Sequence, residues 1–221
     1  LAVINFKTWK NNSFSHSKRN LFNGNSLRIF GSVSVTASWA IAMYALYVYL
    51  GAALYSENKF SSSEIALAVI FYGIGAVLGS LISGQFTDRF GERKISKVTL
   101  FFLTLILICL GIFFSSGDWI YFFLFIWALV GYAGFTSYQA RLAVEYPEER
   151  GIVLAWNNTA LYIGITIGSI IGGYVISNWG YPFLPYFCSI VAIISFVLST
   201  QKVQETKKES EIPILFLERQ T

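Results

Sequence analysis

The densest run of functional side chains is Gly84-Gln85-Phe86-Thr87-Asp88-Arg89-Phe90-Gly91-Glu92-Arg93-Lys94. Its chemistry is electrostatic rather than catalytic. Asp88 closes an apolar run, where a carboxylate can accept hydrogen bonds from the N-terminus of an adjacent helix, the positive end of its dipole. Arg89, Arg93 and Lys94 suit an anionic membrane surface. Gly91 permits a tight reversal, and Gly84 lets a neighbouring helix approach closely. Charge alone would make this an ordinary basic turn between membrane segments. The order Gly, Asp, Arg, Gly, Arg-Lys argues for a more specific role.

No second constellation offers chemistry. The single histidine, His16, lies in a polar stretch. Cys109 and Cys188 sit inside apolar runs and read as small buried side chains, and no metal-ligand spacing occurs. No cofactor is expected. A membrane enzyme would need an acid, His or nucleophile cluster at one depth. An ATP-driven exporter half would carry G-x-x-x-x-G-K-[ST] in the chain or a partner, and the chain has none. The net charge of +4 invites nucleic acid, but the basic residues form short clusters between apolar runs rather than a groove with stacking aromatics, so no nucleic-acid partner is expected. The start lacks the order of a cleavable signal peptide.

The elements that must position the motif follow from composition. Of 221 residues 55% are apolar and only 13% charged, about half the ~25% of soluble domains. Lipid is the solvent that fits. A crossing helix needs about 20 apolar residues, and six stretches supply this: Ile29 to Tyr55, Glu64 to Phe86, Ile95 to Ser115, Trp119 to Ala140, Gly151 to Ser177 and Tyr181 to Thr200. They are too long and too evenly apolar for barrel strands. Basic residues collect before span one, between spans two and three, between four and five, and after six. Of the 16 Lys and Arg residues, Lys59 alone falls on the other side. The positive-inside rule then predicts both termini in the cytoplasm of a multi-pass cell-membrane protein. Short loops predict that successive helices are antiparallel neighbours. Trp119, Trp179 and Tyr181 suit the outer interface.

Small residues mark close helix contacts in lipid. Span five carries Ala160, Gly164, Gly168 and Gly172 on one face; span two carries Gly75 and Gly79, with Ser83 and Gly84 a turn later. Bundle packing explains these stripes, and a face that rocks against another bundle is compatible with it.

The loop from Gly84 to Lys94 resembles the signature of the major facilitator superfamily: Gly, three residues, Asp, a basic residue, one residue, Gly, then a basic run. Glu92 departs, since that position is usually basic. Pro147 to Phe187 looks like helices four to six of a facilitator half. The resemblance implies an all-α membrane fold of six helices forming one half of a facilitator bundle. The polar stretch from Lys10 and the charged tail after Thr200 place the spans as helices seven to twelve. Residues 1–9 then end a truncated preceding helix, with a processed start as the alternative. Residues 10–28 form a cytoplasmic connector, 29–200 the six-helix half and 201–221 a cytoplasmic tail whose apolar patch at Ile212 to Leu217 can touch the membrane.

The resemblance further implies alternating access, with the halves rocking about a site near the midplane and Asp88 latching a helix of the partner half. The family's basic residue at the Glu92 position pairs with an acid on its fourth helix, so a charge-swapped pair of Glu92 with Arg141 is expected here. Solute contacts should come mainly from spans one and four: Trp39, Met43 and Tyr47; Trp127, Gly131, Gly134 and Tyr138, with Gln139 beside them. Asn157 and Asn158 open span five. Packing is the plainer role for such aromatics, and cross-helix bonding for the amides. No ionisable side chain stands at mid-span, so a proton-carrying carboxylate would belong to the partner half. The expected activity is secondary transport of a small apolar or weakly polar solute, with export favoured. The expected partners are the lipid bilayer, that solute, and either an N-terminal six-helix half or a second chain. A non-transporting membrane scaffold or degenerate fragment is the alternative, ahead of an integral membrane enzyme.

Overall fold

The computed structural model describes residues 25–115, 117 and 119–200. The connector, the tail and Asp118 therefore fall wholly or mainly outside the described residues. Within them the chain is helical, as a bilayer demands: without water, a crossing segment must satisfy its own N–H and C=O groups. The helices are α1 (Asn25–Tyr47), α2 (Leu50–Asn58), α3 (Ser62–Phe90), α4 (Glu92–Ile112), α5 (Trp119–Glu145), α6 (Arg150–Trp179) and α7 (Leu184–Thr200). A 3₁₀ turn, Tyr181–Phe183, leads into α7. Among the described residues six segments are long and apolar enough to cross a membrane, and each falls on one of the six predicted runs. The chain is an all-α, multi-pass membrane protein. Helices α3 and α6, of 29 and 30 residues, reach about 43–45 Å at 1.5 Å per residue. That exceeds a ~30 Å hydrocarbon core, so they tilt or project beyond it.

Local chemistry sets the boundaries. Ser61 caps α3: its Oγ accepts from the Glu64 amide at 3.4 Å, and the Ser61 amide donates to Glu64 Oε2 at 2.7 Å. This reciprocal box satisfies two otherwise free donors. Gly91 lies between α3 and α4 at φ 87°, ψ 142°, and Gly180 closes α6 at φ 84°, ψ 171°. Side chains disfavour both conformations. The first span departs from expectation, because it is broken at Val48-Tyr49. There the Tyr49 amide turns back to the Leu46 carbonyl at 3.2 Å, a tighter turn than α-helix. The Tyr49 ring lies against Gly172 and Gly173 of α6, and its hydroxyl donates to the Ser169 carbonyl at 2.8 Å.

Successive helices are not, as a rule, the main neighbours. The extensive packings are α3 on α5, α1 on α6, α4 on α5, α1 on α7 and α4 on α7; only α4 and α5 follow one another in the chain. Small residues choose the partners. Gly75 meets the Phe125 carbonyl and Ala128, Gly79 meets Leu129, and Ser83 donates to the Ala133 carbonyl at 2.8 Å. On the other side Gly164 meets Ala37 and Ala40, Gly168 meets Ile41, and Gly172 meets Ala45. In both series the numbers rise together, so each pair is parallel. Backbone contact of this closeness outweighs the short loops, because dispersion between touching backbones is what holds helices together in lipid.

The two series also repeat one another, at spacings that differ by a single residue. Gly75, Gly79 and Ser83 correspond to Gly164, Gly168 and Gly172, while Ala37, Ala40 and Ile41 correspond to Phe125, Ala128 and Leu129. Spans one to three thus repeat as spans four to six. Span one leaves the basic end of the bundle and span four returns to it, so the repeat is inverted. Trp39 corresponds to Trp127 and Tyr44 to Tyr132.

Candidate functional site

At the basic end, Gly91 turns α3 into α4 and sends Arg93 toward the end of α5. Arg93 Nε lies 2.9 Å from Glu145 Oε1, and Arg141 Nε lies 2.8 Å from the same oxygen. Arg141 is 4% exposed and also donates from Nη1 to the Ser199 carbonyl at 2.7 Å, where the free carbonyls of α7 are negative. One buried cluster therefore ties the motif loop, α5 and α7. The expected pair of Glu92 with Arg141 does not form. Arg141 and Glu145 are neighbours one turn apart on α5, so the guanidinium is already matched, and the loop residue that reaches the acid is Arg93. Glu92 opens α4, where a carboxylate suits the helix dipole.

The rest of the motif points away from the bundle. Asp88, Arg89 and Lys94 are exposed. Asp88 takes part in no ion pair among the described residues. Arg89 and Lys94 lie over the Phe90 ring at 5.2 and 5.8 Å. A Cβ at Gly84 would meet no atom of another helix within 4 Å. Within this bundle the close approaches on α3 are at Gly75 and Gly79 instead.

The aromatic candidates divide by burial. Trp39, Trp127, Tyr138 and Asn157 are buried inside the bundle, in line with the packing and cross-helix roles that were the plainer reading of them. They face inward because each helix packs its neighbours with that side. Trp39 Nε1 donates to the Gly131 carbonyl at 3.0 Å and the Tyr138 hydroxyl to the Ser32 carbonyl at 2.7 Å. Thr36 Oγ1 donates to Asn157 Oδ1 at 2.6 Å. These are the cross-helix bonds expected of structural glue. Ala160, Gly164, Gly168 and Gly172 are likewise used inside the bundle, against α1. Trp39→Phe should then lower stability by about 1 kcal/mol more than Trp127→Phe. The ring loss is the same, but only Trp39 gives up a hydrogen bond. Thermal unfolding of the two variants in detergent checks this; equal losses would contradict it.

Tyr47 and Gln139 are half-buried and Asn158 is exposed. With them the structure groups residues the sequence did not single out. Tyr44, Tyr132 and Phe135 are half-buried, while Tyr72 of α3 is buried beneath them. Tyr47 stacks on Tyr72 at 4.7 Å, Trp39 on Phe135 at 4.7 Å, and Tyr72 tilts against Trp127 at 5.0 Å. The Tyr44 and Tyr132 hydroxyls, mates in the inverted repeat, meet at 3.3 Å. Tyr162 of α6 lies near Tyr44. Tyr132 and Tyr162 fall near the middle of α5 and α6, and Tyr44, in the last turn of α1, meets that depth through its contact with Tyr132. The signal was present as the repeat that pairs Tyr44 with Tyr132, not as helical periodicity.

One lipid-depth surface differs from the others. The large exposed side chains of α4 and α7 are apolar, including Phe101, Phe102, Leu105, Ile190 and Ile194. Helix α6 also exposes Ile163, Ile167 and Ile170, but interleaves them with exposed Asn158, Thr159, Tyr162 and Thr166. Thr159 and Thr166 donate to the carbonyls of Ala155 and Tyr162, which leaves acceptor lone pairs facing outward. A polar stripe at this depth suits protein or water better than hydrocarbon.

The Major Facilitator Superfamily model matches residues 29–215. The uncharacterised MFS-type transporter YwfA of Bacillus subtilis is 28% identical over 76% of this chain and 40% of its own length. The inner membrane transport protein YdhP of Escherichia coli K12 is 26% identical over 81% of this chain and 47% of its own. The probable galactarate/D-glucarate transporter GudP of B. subtilis is 29% identical over 71% and 36%. The chain spans less than half the length of these curated relatives.

Proposed function

The chain belongs to the major facilitator superfamily, and from that membership we propose that it forms the C-terminal half of a secondary transporter working by alternating access in the cell membrane. The observation that carries this reading is the unpaired surface: the tyrosine group of α1, α3 and α5 opens beside the polar stripe of α6 at mid-depth. A partner half covering α3 and α6 would enclose a central site between Tyr44, Tyr47, Tyr132 and Tyr162, with Gln139 and Asn158 toward the basic end. The solute is small, apolar or weakly polar, because this half brings hydroxyls, amides and rings to the site but no mid-span charge. Export is the favoured direction.

The basic end faces the cytoplasm in this reading, following the charge bias. Asp88, exposed and without an ion pair among the described residues, and Gly84, where an added Cβ would meet no other helix, meet a helix N-terminus of the partner half when the cytoplasmic side is closed. Losing a charge-assisted hydrogen bond of roughly 1.5–3 kcal/mol should shift the population about tenfold or more toward the cytoplasm-open state. The test uses the complete transport unit with Cys109 and Cys188 replaced and Gln139→Cys as reporter. Asp88→Asn should raise maleimide labelling of that cysteine from the basic side several-fold and slow solute flux. An unchanged labelling rate at normal expression would remove the latch role.

A further inference from the structure

The turn from α3 to α4 holds two cations that the bundle does not use. Arg89 Cζ and Lys94 Nζ lie over the same Phe90 ring, at 5.2 and 5.8 Å from its centroid. Arg89 ends α3 and Lys94 starts α4, and both are exposed. Neither forms an ion pair among the described residues, although Asp88 and Glu92 lie in the same turn. Arg93, next to Lys94, is paired with Glu145. Two like charges gathered on one ring, with no acid paired to either, make a positive corner whose repulsion an anion would relieve.

Beside these cations the surface is apolar. Phe86 stacks on Phe90 at 5.9 Å, and the two rings are 48% and 45% exposed, too much for side chains meant for water. From Lys94 the exposed positions of α4 continue as Val98, Phe101 and Leu105, which share one helical face. Lys94 therefore crowns the apolar face that α4 turns to lipid. Asp88 lies two residues from both Phe86 and Phe90, about 200° around α3, so the corner points away from the side on which the partner half would be latched. Cations first, then rings, then aliphatic side chains is also the order of a lipid monolayer, headgroup before acyl chain.

We propose that Arg89, Lys94 and Phe90 form a binding site for an anionic phospholipid of the leaflet at the basic end, with its phosphate between the guanidinium and the ammonium and its acyl chain along Phe86 and Val98. The guanidinium fork matches two phosphate oxygens, and the ammonium adds a point charge. Phe90 keeps the two cations together by cation–π attraction. A phosphatidylcholine carries the same phosphate, but both residues repel its choline cation, so the site selects a lipid of net negative charge. The bound headgroup bridges α3 and α4 across Gly91. Such a site needs only a bilayer, whatever solute the unit carries.

The test uses the complete transport unit in phosphatidylcholine nanodiscs, with Cys109 and Cys188 replaced and a bimane on Val98→Cys. Quenching is measured with phosphatidylglycerol and with phosphatidylcholine, each carrying a nitroxide high on one acyl chain. Phosphatidylglycerol should quench at a share of the lipid about tenfold lower or more, and Arg89→Gln and Lys94→Gln should each cut that preference about fivefold. Phe90→Leu removes no charge, yet it should lower the preference about twofold or more, because the cations lose their common ring. Arg150→Gln removes an exposed cation at the same end, on α6, and should leave the preference unchanged. Inorganic phosphate should not compete, since it has no chain to lay on Phe86. The proposal is overturned if the unmodified unit shows no preference, if Arg150→Gln lowers it as much as Lys94→Gln, if Phe90→Leu leaves it unchanged, or if inorganic phosphate displaces the lipid. Thermal unfolding should be the same for all four variants, which keeps a lost preference distinct from a lost fold.

Discussion

Glu145→Ala is expected to destabilise the protein by about 3–5 kcal/mol, because it leaves a buried arginine without its acid. Arg141 is 4% exposed and holds Glu145 Oε1 at 2.8 Å. Without that carboxylate the guanidinium keeps the Ser199 carbonyl and the face of the Tyr138 ring at 5.6 Å, neither of them an anion, and stays largely desolvated. Arg93 loses its anchor too, but at 56% side-chain exposure it is hydrated at little cost. Arg93→Gln should therefore cost under about 1 kcal/mol. Replacing Arg141 and Glu145 together by methionine should recover much of the loss, since a buried pair removed as a unit leaves no orphan charge. Unfolding in detergent, followed by tryptophan emission, measures all three. A Glu145→Ala loss no larger than that of Arg93→Gln would mean that the cluster is hydrated and does not tie the loop to α5 and α7.

The second large effect is expected at Gly79. A Cβ there would run into the Leu129 backbone, and rigid backbone cannot yield as a flexible side chain can. Gly79→Leu must force α3 and α5 apart along the crossing that also holds Gly75 and Ser83. The cost should be about 3 kcal/mol or more, at or beyond the top of the usual range for overpacking, with loss of the folded monodisperse protein. Gly84→Leu is the contrast. A Cβ at that position would meet no atom of another helix within 4 Å, so this half should fold normally, while the partner's approach at the basic end is blocked. Size-exclusion profiles of the two variants separate them, and equal behaviour would contradict the assignment of these glycines.

The six crossings were legible because lipid imposes one long apolar run per helix, and the basic residues mark one end of the bundle. Which helices touch was not. Loop length suggested sequential neighbours, but contact is decided where glycines let backbones meet, and that needs the match of Gly75 and Gly79 with Gly164 and Gly168 to be noticed first. Burial was the other limit. A face carrying Trp39 and Tyr47 is legible as a face, yet periodicity is silent on whether it turns to the core or to an opening. Trp39 turns inward while Tyr47 stays half-buried. The family pattern points to a pairing between the motif loop and the end of span four, but not to Glu145 as its acid. The Glu92–Arg141 expectation fails because Glu145, one turn away, already neutralises Arg141, and the loop residue that reaches the acid is Arg93.

The central claim is that the polar face of α6 is covered by protein or water while α7 meets lipid. Nitroxide labels at Tyr162→Cys and Ile190→Cys, in a background lacking Cys109 and Cys188 and in the complete unit reconstituted in bilayers, test it directly. Collision rates with oxygen, which partitions into lipid, should be high at Ile190→Cys and several-fold lower at Tyr162→Cys. Equal oxygen access at the two sites would put α6 in hydrocarbon and contradict the account.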